Sequence, residues 1–254
     1  MNNRKNNLFI ILAGIFITNA VLAEIIGVKI FSLEKTFGFS LAQIQLLGVR
    51  YDFNLTAGVI IWPVIFIFTD IINEYFGKSG VRKITYLTTI LIAYTYIVLY
   101  LVSKTAPADF WLEINKTING NPFNIEDAYD RIFSQSMGII LGSLVAFLVS
   151  QFLDVHVFRY LRKITGSKYI WLRATGSTLV SQLIDSFIVL VIAFRLFAGE
   201  YAWSWGMLLS VCFVNYIYKF AVAVLLTPAL YGIHYIIEKY LGKEEANRLA
   251  EEAA

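Results

Sequence analysis

Two carboxylates and an amide share one helical face inside an apolar run. Asp70, Asn73 and Glu74, in the string Phe68 to Lys78, fall at i, i+3 and i+4 on a helix that closes an apolar stretch begun near Asn54. An ionisable side chain within a membrane span costs roughly 2.5–3.5 kcal/mol even on lenient insertion scales. Such a group therefore points at a cavity, a cation or a solute. A second constellation follows. Asp185, preceded by Ser181 and Gln182, lies deep in the fifth apolar run. Lys219 lies deep in the sixth, with Asn215 one turn above it on the same face. Carboxylates, amides and one ammonium suit the binding of a polar solute, or charge movement coupled to it. The bland alternative is structural. Asp185 and Lys219 would then tie two helices together, and Glu74 would close an interfacial helix end by pairing with Lys78, Arg82 or Arg173. Glu24, near the outer end of the first run and above Asn19, is readable either way, whereas Lys29 suits an interfacial position.

These residues need a scaffold, and composition names it. The chain has 254 residues, 58% hydrophobic and 15% charged, with mean hydropathy +0.66. Soluble domains run near half apolar and about a quarter charged. Here the apolar residues come in runs of about 20, the length that crosses a bilayer core. The expectation is an all-α, polytopic integral membrane protein: one transmembrane domain of six helices, about 8–30, 54–76, 84–103, 132–153, 174–197 and 206–236. The first run is too long for a signal-peptide core and stays in the mature protein. Basic connections (Arg4 and Lys5; Lys78, Arg82 and Lys83; Arg159, Arg162, Lys163, Lys168 and Arg173) alternate with acidic or neutral ones, which puts both termini in the cytoplasm of a cell (inner) membrane. Pro63 should kink the second span. The outer segment 31–53, mildly amphipathic over 41–49, lies on the membrane or folds over a cavity mouth. Residues 104–131 contain a strong turn at Asn119–Pro122. The tail 241–254 is charged and helix-prone, with no activity assigned.

Several function classes fall away. The net charge of +3 and pI near 8.8 come from short loops, so nucleic acid is not a partner. Cys212 is alone, and His156 and His234 are far apart without metal-ligand spacing, so neither a metal nor another cofactor is expected. Gly77-Lys78-Ser79 mimics the end of a phosphate loop, yet Ile72 stands where that motif needs glycine. No enzyme is expected. An acid hydrolase using Asp70 and Asp185 would need them close, and their depths differ by about five residues, roughly 8 Å. Gly138, Gly142 and Ala146 share a face suited to close helix packing. Ser150-Gln151…Asp154 resembles Ser181-Gln182…Asp185, but Asp154 falls at the cytoplasmic edge, so the likeness reads as coincidence.

Three separated strings carry a family resemblance. Thr69-Asp70-Ile71-Ile72-Asn73-Glu74-Tyr75-Phe76-Gly77-Lys78 with Arg82-Lys83, Ser181-Gln182-Leu183-Ile184-Asp185, and Tyr218-Lys219 with Thr227-Pro228 resemble the signatures of the queuosine-precursor, or vitamin uptake, transporter family. The resemblance spans about residues 8–238. It implies import of 7-deazaguanine bases, such as the cyano- and aminomethyl-deazaguanines used for tRNA queuosine salvage. The residues suit that ligand. A guanine-like edge presents two adjacent N–H donors that a carboxylate accepts in bidentate fashion, Gln182 and Asn215 both donate and accept, and aromatic rings stack on a flat base. The substrate-binding or coupling set is then Asp70, Asn73, Glu74, Gln182, Asp185, Asn215 and Lys219. The alternative is a substrate-binding subunit of an energy-coupling-factor system with a separate ATPase. A homodimer and a coupling module both fit the sequence.

Overall fold

Five helices among the described residues have the length and apolarity of a membrane span. The structure, a computed structural model, describes residues 2–46, 49–133, 137–166 and 169–253. Leu47 and Gly48 of the amphipathic stretch and Lys168 of the basic connections lie outside them. The long helices are α1 (Asn2–Ile26), α3 (Trp62–Val102), α6 (Met137–Thr165), α7 (Ile170–Val191, continued by a π-turn over Ile192–Leu196) and α8 (Trp205–Leu225). Short elements fill the gaps: α2 (Leu33–Thr36), α4 (Asp109–Ile114), α5 (Ile125–Phe133), α9 (Thr227–Leu241) and α10 (Lys243–Glu252). Among the described residues, three antiparallel ribbons join β1 (Ile30–Ser32) to β4 (Asn54–Thr56), β2 (Ile44–Leu46) to β3 (Val49–Tyr51), and β5 (Thr117–Ile118) to β6 (Asn121–Pro122).

Helix α3 holds 41 residues, about 62 Å of helix and twice a bilayer core. It breaks at Gly77 (φ 64°, ψ −168°), a conformation essentially restricted to glycine. Both legs run along α1. Phe76 and Gly80, on either side of the break, meet Phe9, while Tyr96 on the second leg reaches Glu24 at the far end of α1. The helix is therefore a hairpin with a single-residue turn.

Four expectations change here. The second span starts at Trp62 rather than Asn54, because Asn54–Thr56 pairs with Ile30–Ser32 as a ribbon that also ends α1 at Ile26. Pro63 sits in the first turn of α3, where its missing N–H was already outside the hydrogen-bond ladder, so the break falls at Gly77 instead. Lys78, Arg82 and Lys83 occupy the first turns of the second leg rather than a loop. The sixth apolar run is broken at Leu226, and Pro228 starts the amphipathic α9.

The bundle buries a polar cluster within its apolar core and is apolar outside as well. Asp70, Asn73, Glu74, Gln151, Asp154, Arg173, Ser181 and Gln182 are all buried, while Ile10, Ile90 and Phe213 are exposed. An apolar exterior suits a lipid solvent, where polar groups must find partners within the protein. At the end of the bundle carrying both termini, the charged tail is a docked element. Ala246 and Leu249 of α10 join the core, and Arg4 hydrogen-bonds the Tyr240 carbonyl.

Candidate functional site

The predicted site residues separate into two groups. Asp185, Asn215 and Lys219 line a cavity of about 540 Å³ toward the ribbon end of the bundle. Its wall also carries Glu24, Asn54, Ser143, Arg131 and the aromatics Trp62, Phe194 and Trp203. Asp70, Asn73, Glu74 and Gln182 are buried, nearer the terminal end.

Lys219 joins the two regions. Its ammonium donates to Asp185 Oδ2 at 2.8 Å and to Ser186 Oγ at 2.9 Å, so the two deep charges meet across α7 and α8 as their depths suggest. Lys219, Trp62 and Val59 also line a pocket of only about 40 Å³ that contains Asp70, Thr178, Tyr218 and Thr227. A water molecule's share of liquid volume is about 30 Å³, so this pocket is a narrow, mostly apolar cleft rather than room for a ring system.

Glu74 is held by two guanidinium groups, Arg173 at 2.7 Å and Arg162 at 3.4 Å. Of the partners expected for it, Arg173 is the one found, and Arg162 is added because α6 runs to Thr165 and brings that side chain back beneath α3. Arg173 also donates to the Gly166 carbonyl at 2.7 Å and lies over the Phe158 ring. Asp70 has Asp154, Glu74 and Arg173 as charged neighbours, and its Oδ1 has no hydrogen-bond partner. Both polar atoms of the Asn73 amide and Gln182 Oε1 are likewise buried without partners. Orphaned buried polar atoms are rare in native proteins and cost about 1–3 kcal/mol each. Asp70, Asn73 and Gln182 all lie on the signature strings.

Two residues outside the predicted set belong here. Asp154 is 4% exposed and accepts from Ser181 Oγ at 3.1 Å. Its placement at the cytoplasmic edge is corrected, since α6 continues from Leu153 to Thr165 and sinks Asp154 into the bundle. The two Ser-Gln…Asp strings thus touch, Ser181 of one serving Asp154 of the other; their likeness was the signal. Glu24 is the other. Tyr96 Oη donates to its Oε2 at 3.1 Å, and Ser143 Oγ to its Oε1, uniting α1, α3 and α6 at the cavity wall. Gly142 permits the matching approach of α6 to α7, since a Cβ there would sit 3.1 Å from the Val189 carbonyl.

Comparison with known sequences adds the family. Sequences described as putative vitamin uptake transporter match residues 56–233, which include the hairpin, both Ser-Gln…Asp strings and Lys219. The chain belongs to this family. A probable queuosine precursor transporter of Bacillus subtilis is 34% identical over 196 residues, covering 75% of this chain and 77% of the relative. The corresponding protein of Haemophilus influenzae is 28% identical over 197 residues, 75% and 74% of the two chains. The queuosine precursor transporter of Escherichia coli is 26% identical over 200 residues, 78% and 81% of the two chains. No solved structure matches. A transporter role in a membrane follows from membership and from the apolar helices.

Proposed function

We propose that this chain imports 7-deazaguanine bases, the precursors of queuosine, across the cell membrane by itself. In this reading the chain crosses the membrane six times, α3 supplying two crossings, with both termini in the cytoplasm and the 540 Å³ cavity open toward the outside. That cavity is the observation that carries the reading. Its volume falls within the roughly 300–1,000 Å³ of small-molecule sites, and its wall mixes aromatic rings with hydrogen-bonding groups. The relatives named for queuosine precursors support the substrate class. The Asp185–Lys219 pair is the cavity's floor, and the buried layer of Asp70, Asn73, Glu74 and Gln182 is the next station toward the cytoplasm.

The test is uptake of radiolabelled 7-cyano-7-deazaguanine by liposomes holding only this purified chain, with and without an imposed proton gradient. Accumulation above empty liposomes is the expected result. Tight binding without uptake would assign the chain to the alternative class, a binding subunit that needs a separate ATPase. Neither binding nor uptake would remove the substrate.

A further inference from the structure

We infer that Asp70 and Asp154 hold a single proton between them, and that this pair is where proton entry is coupled to movement of the solute. The inference rests on the import role proposed above. Both carboxyls are buried, 5% and 4% exposed, on α3 and α6. The two helices are fastened at this level by the Thr69 hydroxyl, which donates to Gln151 Oε1 at 3.2 Å. Thr69 precedes Asp70, and Gln151 lies one turn before Asp154. Asp154 is the charge that acts most strongly on Asp70. Asp154 Oδ1 accepts from Ser181, but its Oδ2 has no partner, and neither has Asp70 Oδ1. Like charges facing each other in a site closed to water do not both persist, so such a pair keeps one proton.

The amides beside the pair point to the same species. Asn73 lies one turn from Asp70 on the same face, and Gln182 follows the Ser181 that serves Asp154; both are buried. Asp70 Oδ1, Asp154 Oδ2, Asn73 Oδ1 and Gln182 Oε1 are four buried acceptors without a donor, and the Asn73 amide nitrogen is the amide donor left to set against them. A layer so rich in acceptors is short of hydrogens. A protonated carboxyl supplies one, donating its O–H to the facing carboxylate or to either amide oxygen. The fixed charges count the same way. The layer holds the carboxyls of Asp70, Glu74 and Asp154 and the guanidinium groups of Arg173 on α7 and Arg162 on α6, and both guanidinium groups converge on Glu74. One negative charge is in excess, the amount that one proton cancels. Of the other groups packed here, Lys219 and Tyr218 of α8 line the cleft beside Asp70, with Lys219 paired to Asp185, while Tyr75 of α3 bonds His234 of α9. Glu24 of α1 lines the large cavity rather than this layer. Lys219 lines both that cavity and the cleft, so the cleft is the way from the cavity to Asp70. In the coupled step a carboxylate of the pair takes a proton from the cavity side and releases it toward the cytoplasm; an O–H bond forms and later breaks, and no other bond changes. Buried acidic side chains serve as proton relays in pumps and transporters generally.

Infrared spectra of the purified chain in lipid test this without transport. At neutral pH the wild type should show a carboxylic-acid carbonyl band that both Asp70→Asn and Asp154→Asn abolish or displace, because each removes one of the two owners of the proton. If no band responds to both substitutions, the inference is overturned. Should the asparagine variants fold poorly, Asp70→Glu and Asp154→Glu take their place, and each should displace the band. In liposomes held at zero membrane potential, one proton per base means that an inward gradient of about one pH unit raises accumulation of 7-cyano-7-deazaguanine toward about tenfold. A pH dye trapped in the lumen should report acidification during uptake. Asp154→Asn should lose this stimulation, and Asp154→Glu, which restores a carboxyl, should keep part of it. Uptake driven by a sodium gradient alone, or indifferent to both gradients, overturns the inference and leaves the import role standing. A wild type that takes up no base under any gradient overturns the import role instead, a separately recognisable outcome.

Discussion

Lys219 holds Asp185 in surroundings where neither charge is fully hydrated, both side chains being 15–17% exposed. Removing one member of a buried pair typically costs about 3–5 kcal/mol, because the survivor keeps its charge without its partner. Lys219→Met should therefore lower the amount of folded protein on fluorescence-detected gel filtration, and adding Asp185→Asn should restore it. Uptake should stay lost in the double variant, since the cavity floor has lost its charges; recovered uptake would leave the pair a purely structural tie. Outside the bundle, Glu34 organises the segment between β1 and β4. Burial disfavours its charge, but the Phe53 amide at 2.8 Å, its own amide, the Ser32 hydroxyl and the Ala42 amide outweigh that and hold the carboxyl below the usual carboxylate range. A depressed folded-state pKa stabilises the fold above the ordinary value of about 4.3, and the contribution fades as pH falls through the lower folded value. Hydrogen exchange at the Phe53 amide, corrected for its intrinsic pH dependence, should thus be protected to about pH 5 and lose protection below it, while Glu34→Gln should be less protected at neutral pH and flat. Depth counting along the apolar runs was enough to foresee that Asp185 and Lys219 meet. It failed for Asp154, because a helix that keeps going beyond its apolar run moves its boundary residues inward.

At the scale of elements, the hairpin in α3 is the least readable feature. Lys78 to Lys83 looks like an ordinary basic loop, and only a backbone at φ 64° shows that one glycine turns the chain. Gly77→Ala should cost about 1–3 kcal/mol, the usual penalty in this backbone region. Its new Cβ would also approach the Ala253 carbonyl within 2.8 Å, so α10 must shift. The expected reading is a lower melting temperature together with faster proteolysis of α10. Gly14→Ala, where a Cβ meets nothing within 4 Å in mid-helix, should be neutral or gain up to about 1 kcal/mol. Equal melting shifts in the two variants would mean that Gly77 does not govern the turn. The kink expected at Pro63 is absent for a local reason: β4 holds Asn54–Thr56 in extended backbone, which delays the helix and leaves the proline at its start.

For the molecule as a whole, charge alternation between connections is the readable signal, and it predicts a topology that can be checked. A cysteine at Asn121, an exposed residue of the β5–β6 ribbon, in a Cys212→Ala background should react with a membrane-impermeant maleimide from outside intact cells. Labelling only after the membrane is opened would invert the orientation. The helical membrane class and the rough positions of the apolar runs came from composition and length alone. The split of the polar residues into a roomy cavity and a tight buried layer did not. It depends on which face of each helix meets its neighbours, and that is a property of packing.

The ion pair between Glu74 and Arg173 has a consequence for how the protein is made. Its partners are 99 positions apart, so at about 5–20 residues per second a ribosome releases the carboxylate roughly 5–20 s before the guanidinium that neutralises it. During that interval Asp70, Asn73 and Glu74 sit on the first leg of α3, about 15 helical residues, without Arg173 beside them. The apolar second leg follows directly through the single-residue turn at Gly77, so the first leg has a neighbouring helix well before α7 is made.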